Sequence, residues 1–373
     1  MRFTFSSEEE AFRAEVREFL TDYRDLEGFI LQGQKFEAVK KLFLAMGERG
    51  WLAIGWPAEY GGLEKSPSYE YILWDEMAYA RAARNPLSAG IVAKSIIRYG
   101  TEEQKTKWLD PIRSGEVHFA LGYSEPEAGS DLAALRCRAE PTQSGYAING
   151  QKCWQSYAHD MDYLWLLART GEQESRGRGL SLFIVDLKAP GVTINALPLM
   201  DGDQLNEIFF DDVAVGEDQR VGPENGAWSI MGEALADERH IQFPSGRIRR
   251  DLEEVTAWLR EHGKLDDPIV VHRLADLVVE TLEVEMHGLR VLDCMHKKRP
   301  AIVEASTNKI AHTNACAAIA QAAMEFGVGE AMIEGSRPDV LWRASIWEPI
   351  GGGTSEVMRS IVARHGLGLT GKA

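Results

Sequence analysis

The chain of 373 residues has only four cysteines, Cys137, Cys153, Cys294 and Cys316, and no two of them form a Cys-x-x-Cys pair. They read as reduced, buried thiols rather than a disulfide frame. Positive charge is also short. There are 41 Lys and Arg against 57 Asp and Glu, a net charge of −16, which argues against nucleic acid or an anionic membrane as a partner. It does not exclude an anionic small ligand, because local donors and helix ends decide that. No apolar run reaches the length of a membrane span. The nine histidines show no His-Glu-x-x-His or paired ligand spacing, so no metal is expected. The opening MRFTFSSEEEAFRAEV is charged early and lacks the apolar stretch of a secretory leader, so a cytoplasmic chain is expected.

What is present is enough for two to three domains, on a prior of ~150 residues each, and 45% hydrophobic content can fill large cores. Ser7-Glu8-Glu9-Glu10 has a capping-box pattern, with Phe12, Val16, Phe19 and Leu20 at helical spacing behind it. Further helices are expected near Phe36–Met46, Tyr69–Ala82 and Leu87–Tyr99. From His118 to about Gly222 the texture changes to short β-rich runs broken by Gly, Pro and Asp. After Pro223 long amphipathic helices return, over Trp228–Arg260, Val270–Lys297 and Ala305–Gly327. The expected fold class is therefore α+β and multidomain: a helical domain over 1–117, a middle, mostly antiparallel β domain over 118–222, and a C-terminal helical bundle over 223–373. Two near-motifs are rejected. GLGLTGKA has Ala373 where a phosphate loop needs a hydroxyl residue, and Gly327-Val328-Gly329 follows a helix rather than a strand.

The stretch Phe119–Arg169 carries the chemistry. A turn with Pro126 and Gly129 exposes backbone N–H groups and the hydroxyls of Ser124 and Ser130. Trp154 and Ser156 stand two apart, on one face of an extended segment. An indole with hydroxyl and amide donors beside it suits a flat, polar heterocycle. Spacing alone favours the plainer reading, a core tryptophan with two turn serines. Near the other end, Gly351-Gly352-Gly353-Thr354 precedes a helical run. Such a loop lets backbone N–H groups approach a phosphate, or is simply a glycine-rich loop capped by Thr354.

SEPEAGSD (Ser124–Asp131) and NGQKCWQSYAHDMDYLWLLART (Asn149–Thr170) resemble two long patterns of the acyl-CoA dehydrogenase family, in the same order and at similar spacing. GERGWLAIGWPAEYGG, GTEEQKTKWLDPIRSGE and IGGGTSEVMRSIVARHGLG extend the resemblance over nearly the whole chain. It implies FAD as cofactor, an acyl-CoA thioester as substrate, and α,β-dehydrogenation to the 2-enoyl-CoA, with an electron-transfer flavoprotein as acceptor. It implies flavin contacts at Tyr123, Ser124, Gly129, Trp154 and Ser156, with Thr354 and Glu356 on the nucleotide half. Many members place the catalytic base in the closing segment, as YEGT. Here Gly352 stands at that position. A branch resembling isovaleryl- and long-chain acyl-CoA dehydrogenases carries its base in a Glu-Arg pair on a helix, and EALADERHIQ matches it. Glu238 is accordingly the expected base, with Arg239 and Ser130 meeting the substrate.

The chain departs from homotetrameric members in two places. LREHGKLDDPIVVHRLAD lacks their RxxFG, and AAMEFGVGEA has Met324 and Val328 where a glutamine and a glycine reach a neighbouring subunit's flavin. The resemblance then implies an α2β2 heterotetramer with a related chain, the alternative being a homotetramer in which Arg260 or Arg273 compensates. A non-catalytic or half-site partner subunit is the competing reading of function. A third, an oxidase or nitroalkane oxidase, would replace the base with aspartate, and no Asp stands at either base position.

Overall fold

The computed structural model describes residues 4–26, 36–200 and 202–369. Helices α1 (Ser7–Phe19), α2 (Phe36–Glu48), α3 (Pro67–Tyr79), α4 (Ala93–Tyr99) and α5 (Glu102–Arg113) come first. Strands β1 (Phe119–Gly122), β2 (Arg138–Thr142), β3 (Gly145–Ser156), β4 (Tyr163–Arg169), β5 (Leu180–Asp186), β6 (Val192–Pro198), β7 (Gln204–Gly216) and β8 (Arg220–Val221) follow. Then come α6 (Ala227–Asp237), α7 (Ser245–Glu261), α8 (Pro268–His296), α9 (Ile302–Gly327), α10 (Arg337–Trp347) and α11 (Ser355–Ile361). This is the expected order of helices, sheet and helices. The chain forms two compact units. One holds the described residues of Met1–Lys35, Lys65–Arg84 and Arg239–Ala373; the other holds Phe36–Glu64 and Asn85–Glu238.

In the second unit the sheet runs β6-β7-β3-β2-β4-β5-β8, with β1 paired to β4. It is antiparallel except that β1 and β2 pair with β4 in parallel. Strand β4 is buried from Leu164 to Arg169, which is why its sequence is an apolar run rather than an alternation. Ile148, Leu164, Leu166, Phe183, Ile208 and Val213 make the core. Helix α5 opens on a reciprocal cap between Thr101 and Gln104. A single turn of π-helix, Ser88–Val92, leads into α4.

In the first unit α7, α8, α9 and α10 close around Val255, Leu259, Leu277, Ile319 and Ala323. Gly246 at the start of α7 lies against the Asp75 carbonyl of α3, where a Cβ would overlap it. The Asp75 carboxylate accepts from Ser245 Oγ at 2.8 Å, Gly246 N at 2.7 Å and Arg249 at 2.6 Å, so the helix start is held by its free N–H group and an ion pair together. Arg247 pairs with the buried Glu348. Burial alone would raise that carboxyl, but Arg247 and Arg84 overrule it and bring it down to about 2.

Two local expectations change. The cap of α1 is Ser6 with Glu9, not Ser7 with Glu10, because Ser6 is the residue with extended φ/ψ. The helix expected over Trp228–Arg260 is two helices, α6 and α7, separated by a turn. Pro244 lacks an N–H and disfavours helical geometry in the residue before it. The break leaves Glu238 as the C-cap of α6 rather than inside a helix.

All four cysteines are free and buried, and burial raises every thiol, Cys137 to about 11. His312 on α9 is also buried. Burial, with Arg247 and Arg84 nearby, pushes it down from 6.5 to about 3. Between those values only the unfolded chain takes the proton, so stability falls as pH drops through that window. His312→Gln should therefore lose less melting temperature than the wild type between about pH 7 and pH 5, measured by thermal melts at both. Equal losses would show that His312 does not carry the acid sensitivity.

Candidate active site

The SEPEAGSD stretch is a tight turn. Glu125 and Ala128 exchange backbone hydrogen bonds at 3.1 and 3.0 Å around Pro126 and Glu127. The Glu125 side chain turns inward and is buried. Its carboxylate accepts from Arg136 N at 2.7 Å, from Cys137 N at 2.9 Å and from Lys152 Nζ at 2.8 Å. Lys152 is itself fully buried and also donates to the Tyr123 carbonyl at 3.0 Å. The Ser124 carbonyl takes Cys153 N and the Gln155 amide, both at 3.0 Å. The turn is thus sewn to β3 through its backbone, which leaves its outward side chains free of structural duty.

Those side chains are the expected flavin residues. β3 does not run as a regular strand past Trp154: a bulge falls between Lys152 and Gln155, and Trp154 has φ +66°. A bulky residue in that region is an outlier that the surrounding contacts must impose. The bulge breaks the simple two-residue alternation, yet Trp154 and Ser156 both end exposed, with Gln155 buried between them. Trp154 keeps 48% of its surface open, unusual for an indole. The hydroxyls of Ser124, Ser130 and Ser156 take no part in the hydrogen bonds of the described residues. At Gly129, apart from its two chain neighbours, no atom of the described residues lies within 4 Å of where a Cβ would stand. Tyr123 is kept neutral by burial of its phenol, with Glu238 within electrostatic reach.

Glu238, in the same unit, is 8% exposed. Its Oε1 accepts a hydrogen bond from Asn85 Nδ2 at 2.6 Å. A methyl at Gly90 would overlap the same carboxylate.

The remaining expected residues belong to the other unit. Arg239 is half-buried. It has no carboxylate partner among the described residues, and burial alone acts on it, lowering its pKa. Such a guanidinium suits an anionic ligand. Gly352 and Gly353 have φ +66° and +92°, which a glycine adopts without strain. Lys309 of α9 is buried beneath this loop and donates to the carbonyls of Gly351 and Gly353. Burial brings Lys309 down to about 8. Thr354 Oγ1 accepts from Val357 N at 3.2 Å as the cap of α11. Glu356 is exposed, and its own backbone N–H and the Thr354 hydroxyl hold its carboxyl below the usual range. Met324 and Val328 line an open pocket with Gln321, Glu325, Met332 and Trp342. Its lining contains one carboxylate and no cation, and neither Arg260 nor Arg273 is part of that lining.

Sequence reasoning missed Lys152, Glu125, Arg169, Gln155, Asn85 and Lys309. Arg169 is fully buried and donates to the carbonyls of Leu135, Ala133, Glu172 and Arg176. The available signal was position: Arg169 closes the apolar run of β4, and Lys152 stands within β3.

Three family profiles match consecutive parts of the chain: acyl-CoA dehydrogenase N-terminal domain over residues 6–116, middle domain over 120–213 and C-terminal domain over 225–367. The acyl-CoA dehydrogenase FadE26 of Mycobacterium tuberculosis is 32% identical, covering 99% of both chains. Among solved structures, the Tcur3481-Tcur3483 steroid ACAD superposes with a TM-score of 0.90 at 29% identity, over 100% of both chains. The ChsE4-ChsE5 complex from Mycobacterium tuberculosis gives 0.88 at 31%, again over 100% of both. Fold and comparisons together define a flavin-dependent oxidoreductase. The chain belongs to the acyl-CoA dehydrogenase family, whose reaction is the FAD-dependent dehydrogenation of an acyl-CoA thioester. No helix among the described residues is long and apolar enough to cross a membrane.

Lys152→Met removes one half of a buried ion pair and strands Glu125. Such losses cost about 3–5 kcal/mol, with the low end expected because two backbone N–H groups still serve the carboxylate. Thermal or urea unfolding checks this. A variant as stable as the wild type would show that the pair does not hold the turn.

Proposed function

We propose that Glu238 is the base that removes the α-proton of the thioester and that this chain holds the ring half of a flavin site. The observation that carries the reading is the buried, hydrogen-bonded carboxylate of Glu238, in a chain whose other base position is Gly352. When bound, FAD supplies the acceptor for the β-hydride. The residues fit that group: Trp154 offers an exposed indole face, and Ser124 and Ser156 offer hydroxyls that take no hydrogen bond among the described residues. Tyr123 and Gly129 flank them, and Thr354 and Glu356 serve the nucleotide half. Ser130 and Arg239 take the substrate, Arg239 as a half-buried guanidinium without a carboxylate partner among the described residues. The acceptor we assign, an electron-transfer flavoprotein, and the cytoplasmic setting rest on family resemblance.

Glu238→Gln keeps shape but cannot take a proton. It should retain FAD and bind a CoA thioester, while flavin bleaching by that thioester slows by about 10²-fold or more. Near-normal bleaching would refute the assignment.

We further propose an α2β2 assembly with a related chain and a bulky, polycyclic or branched acyl group. Met324 and Val328 place no donor or cation in the pocket expected to receive a neighbour's adenine end. An apolar stripe stands exposed along α8, at Val271, Val278, Val279 and Leu282, as a surface awaiting a protein neighbour would. Two structural relatives are described as two-protein assemblies, one of them a steroid enzyme. A ligand bridging subunits stabilises the assembly that binds it best. Expressed alone, the chain should carry less than one FAD per protomer. Co-expressed with its related chain, it should form a tetramer with two flavins, checked by native mass and absorbance. A stable, fully active homotetramer with one FAD per chain would overturn the proposal.

A further inference from the structure

We propose that Asn85 is a positioning residue for the α-proton base, and that Gly90 supplies the space in which the base sits. The inference rests on Glu238 being that base. Glu238 follows the last residue of α6, so the packing inside a helix does not fix its side chain. A base must nevertheless be held within about 0.5 Å of its working position. Asn85 does this from a rigid platform: the next residue, Pro86, accepts from the N–H groups of both Ala89 and Gly90 at 3.1 Å, which anchors the π-turn Ser88–Val92. From there Asn85 Nδ2 reaches Glu238 Oε1 at 2.6 Å. Gly90, inside that turn, is where a Cβ would collide with both the carboxylate and the Asn85 amide. π-turns of this kind often sit at functional sites.

The chemistry of the donor matters. An amide donates to a carboxylate without carrying charge, so it favours the proton-accepting form and does not itself titrate. Among the charged and titratable groups nearby, the Tyr123 phenol is neutral through burial, and Asp237 is paired with Arg98 at 2.5 Å. Arg239 follows Glu238 in sequence. In the step itself the α C–H bond breaks, its proton goes to a Glu238 oxygen, and the electron pair enters the thioester enolate. Asn85 acts through Glu238 and keeps its hydrogen bond to it throughout.

The test isolates this step from flavin reduction. Phenylacetyl-CoA has α hydrogens but no hydrogen on the β carbon, so a base exchanges its α position with D2O while no hydride can leave. Mass spectrometry follows deuterium entering the thioester in the FAD-loaded protein. The wild type should exchange and Glu238→Gln should not. Asn85→Leu, similar in size but without a donor, should exchange about tenfold more slowly, with FAD content and thioester Kd within about twofold of wild type. Asn85→Asp should be slower still, because it sets a second carboxylate against the first. Gly90→Ala should also slow exchange, although alanine is the better helix former. If Asn85→Leu does not fold, the aspartate and Gly90 variants carry the test. Wild-type exchange in the Asn85 and Gly90 variants with Glu238→Gln silent overturns the positioning role and leaves the base. Wild-type exchange in Glu238→Gln, or none in the wild type, overturns both. Loss of FAD or thioester binding in the Asn85 variants marks a merely structural residue and also overturns the proposal.

Discussion

The β-containing unit depends on one buried ion pair. Lys152 and Glu125 meet at 2.8 Å with almost no exposure. Through the Glu125 carboxylate the pair joins three pieces of chain: the turn after β1, the backbone leading into β2, and the middle of β3. Burying two charges is costly unless their remaining hydrogen-bonding capacity is met, and here backbone groups meet it. The gain is geometric. Every candidate flavin side chain in this unit lies on the turn or on the strand that the pair connects. Arg169 does similar work next door, drawing the 133–135 and 172–176 segments together through their carbonyls.

The order of elements was legible because the hydrophobic period changes twice, from helical to strand-like near His118 and back after Pro223. The interior of that pattern was less so. Trp228–Arg260 keeps helical spacing across its break, so the pattern concealed the turn that Pro244 enforces, and with it the capping position of Glu238. The bulge at Trp154 was equally hidden, because alternation in the sequence does not reveal which backbone dihedrals the neighbours impose. Lys152, Arg169 and Lys309 are buried cations, and composition assigns lysine and arginine to the surface. Their roles are to satisfy backbone carbonyls distant in sequence, which no local rule anticipates. Asn85 was invisible for the same reason: its partner lies 153 residues away.

The helical unit is arranged around a different constraint. Its closing glycine loop owes its form to a lysine beneath it, and α7 begins where Gly246 lets two helices approach. The long α8 carries apolar residues on an outward stripe as well as inward. A helix apolar on two faces has more to bury than its own unit offers. That surplus stands beside a pocket at Met324 and Val328 whose lining holds one carboxylate and no cation.

The four free thiols have a consequence of another kind. Each is buried and each is held in its neutral form by that burial. Peroxide and electrophiles attack the thiolate, and attack follows exposure. A folded protein of this design is chemically quiet at cysteine: it offers oxidants no foothold for mixed disulfides or sulfenic acids. Its ageing should begin at the exposed Met200 and Met332 thioethers instead.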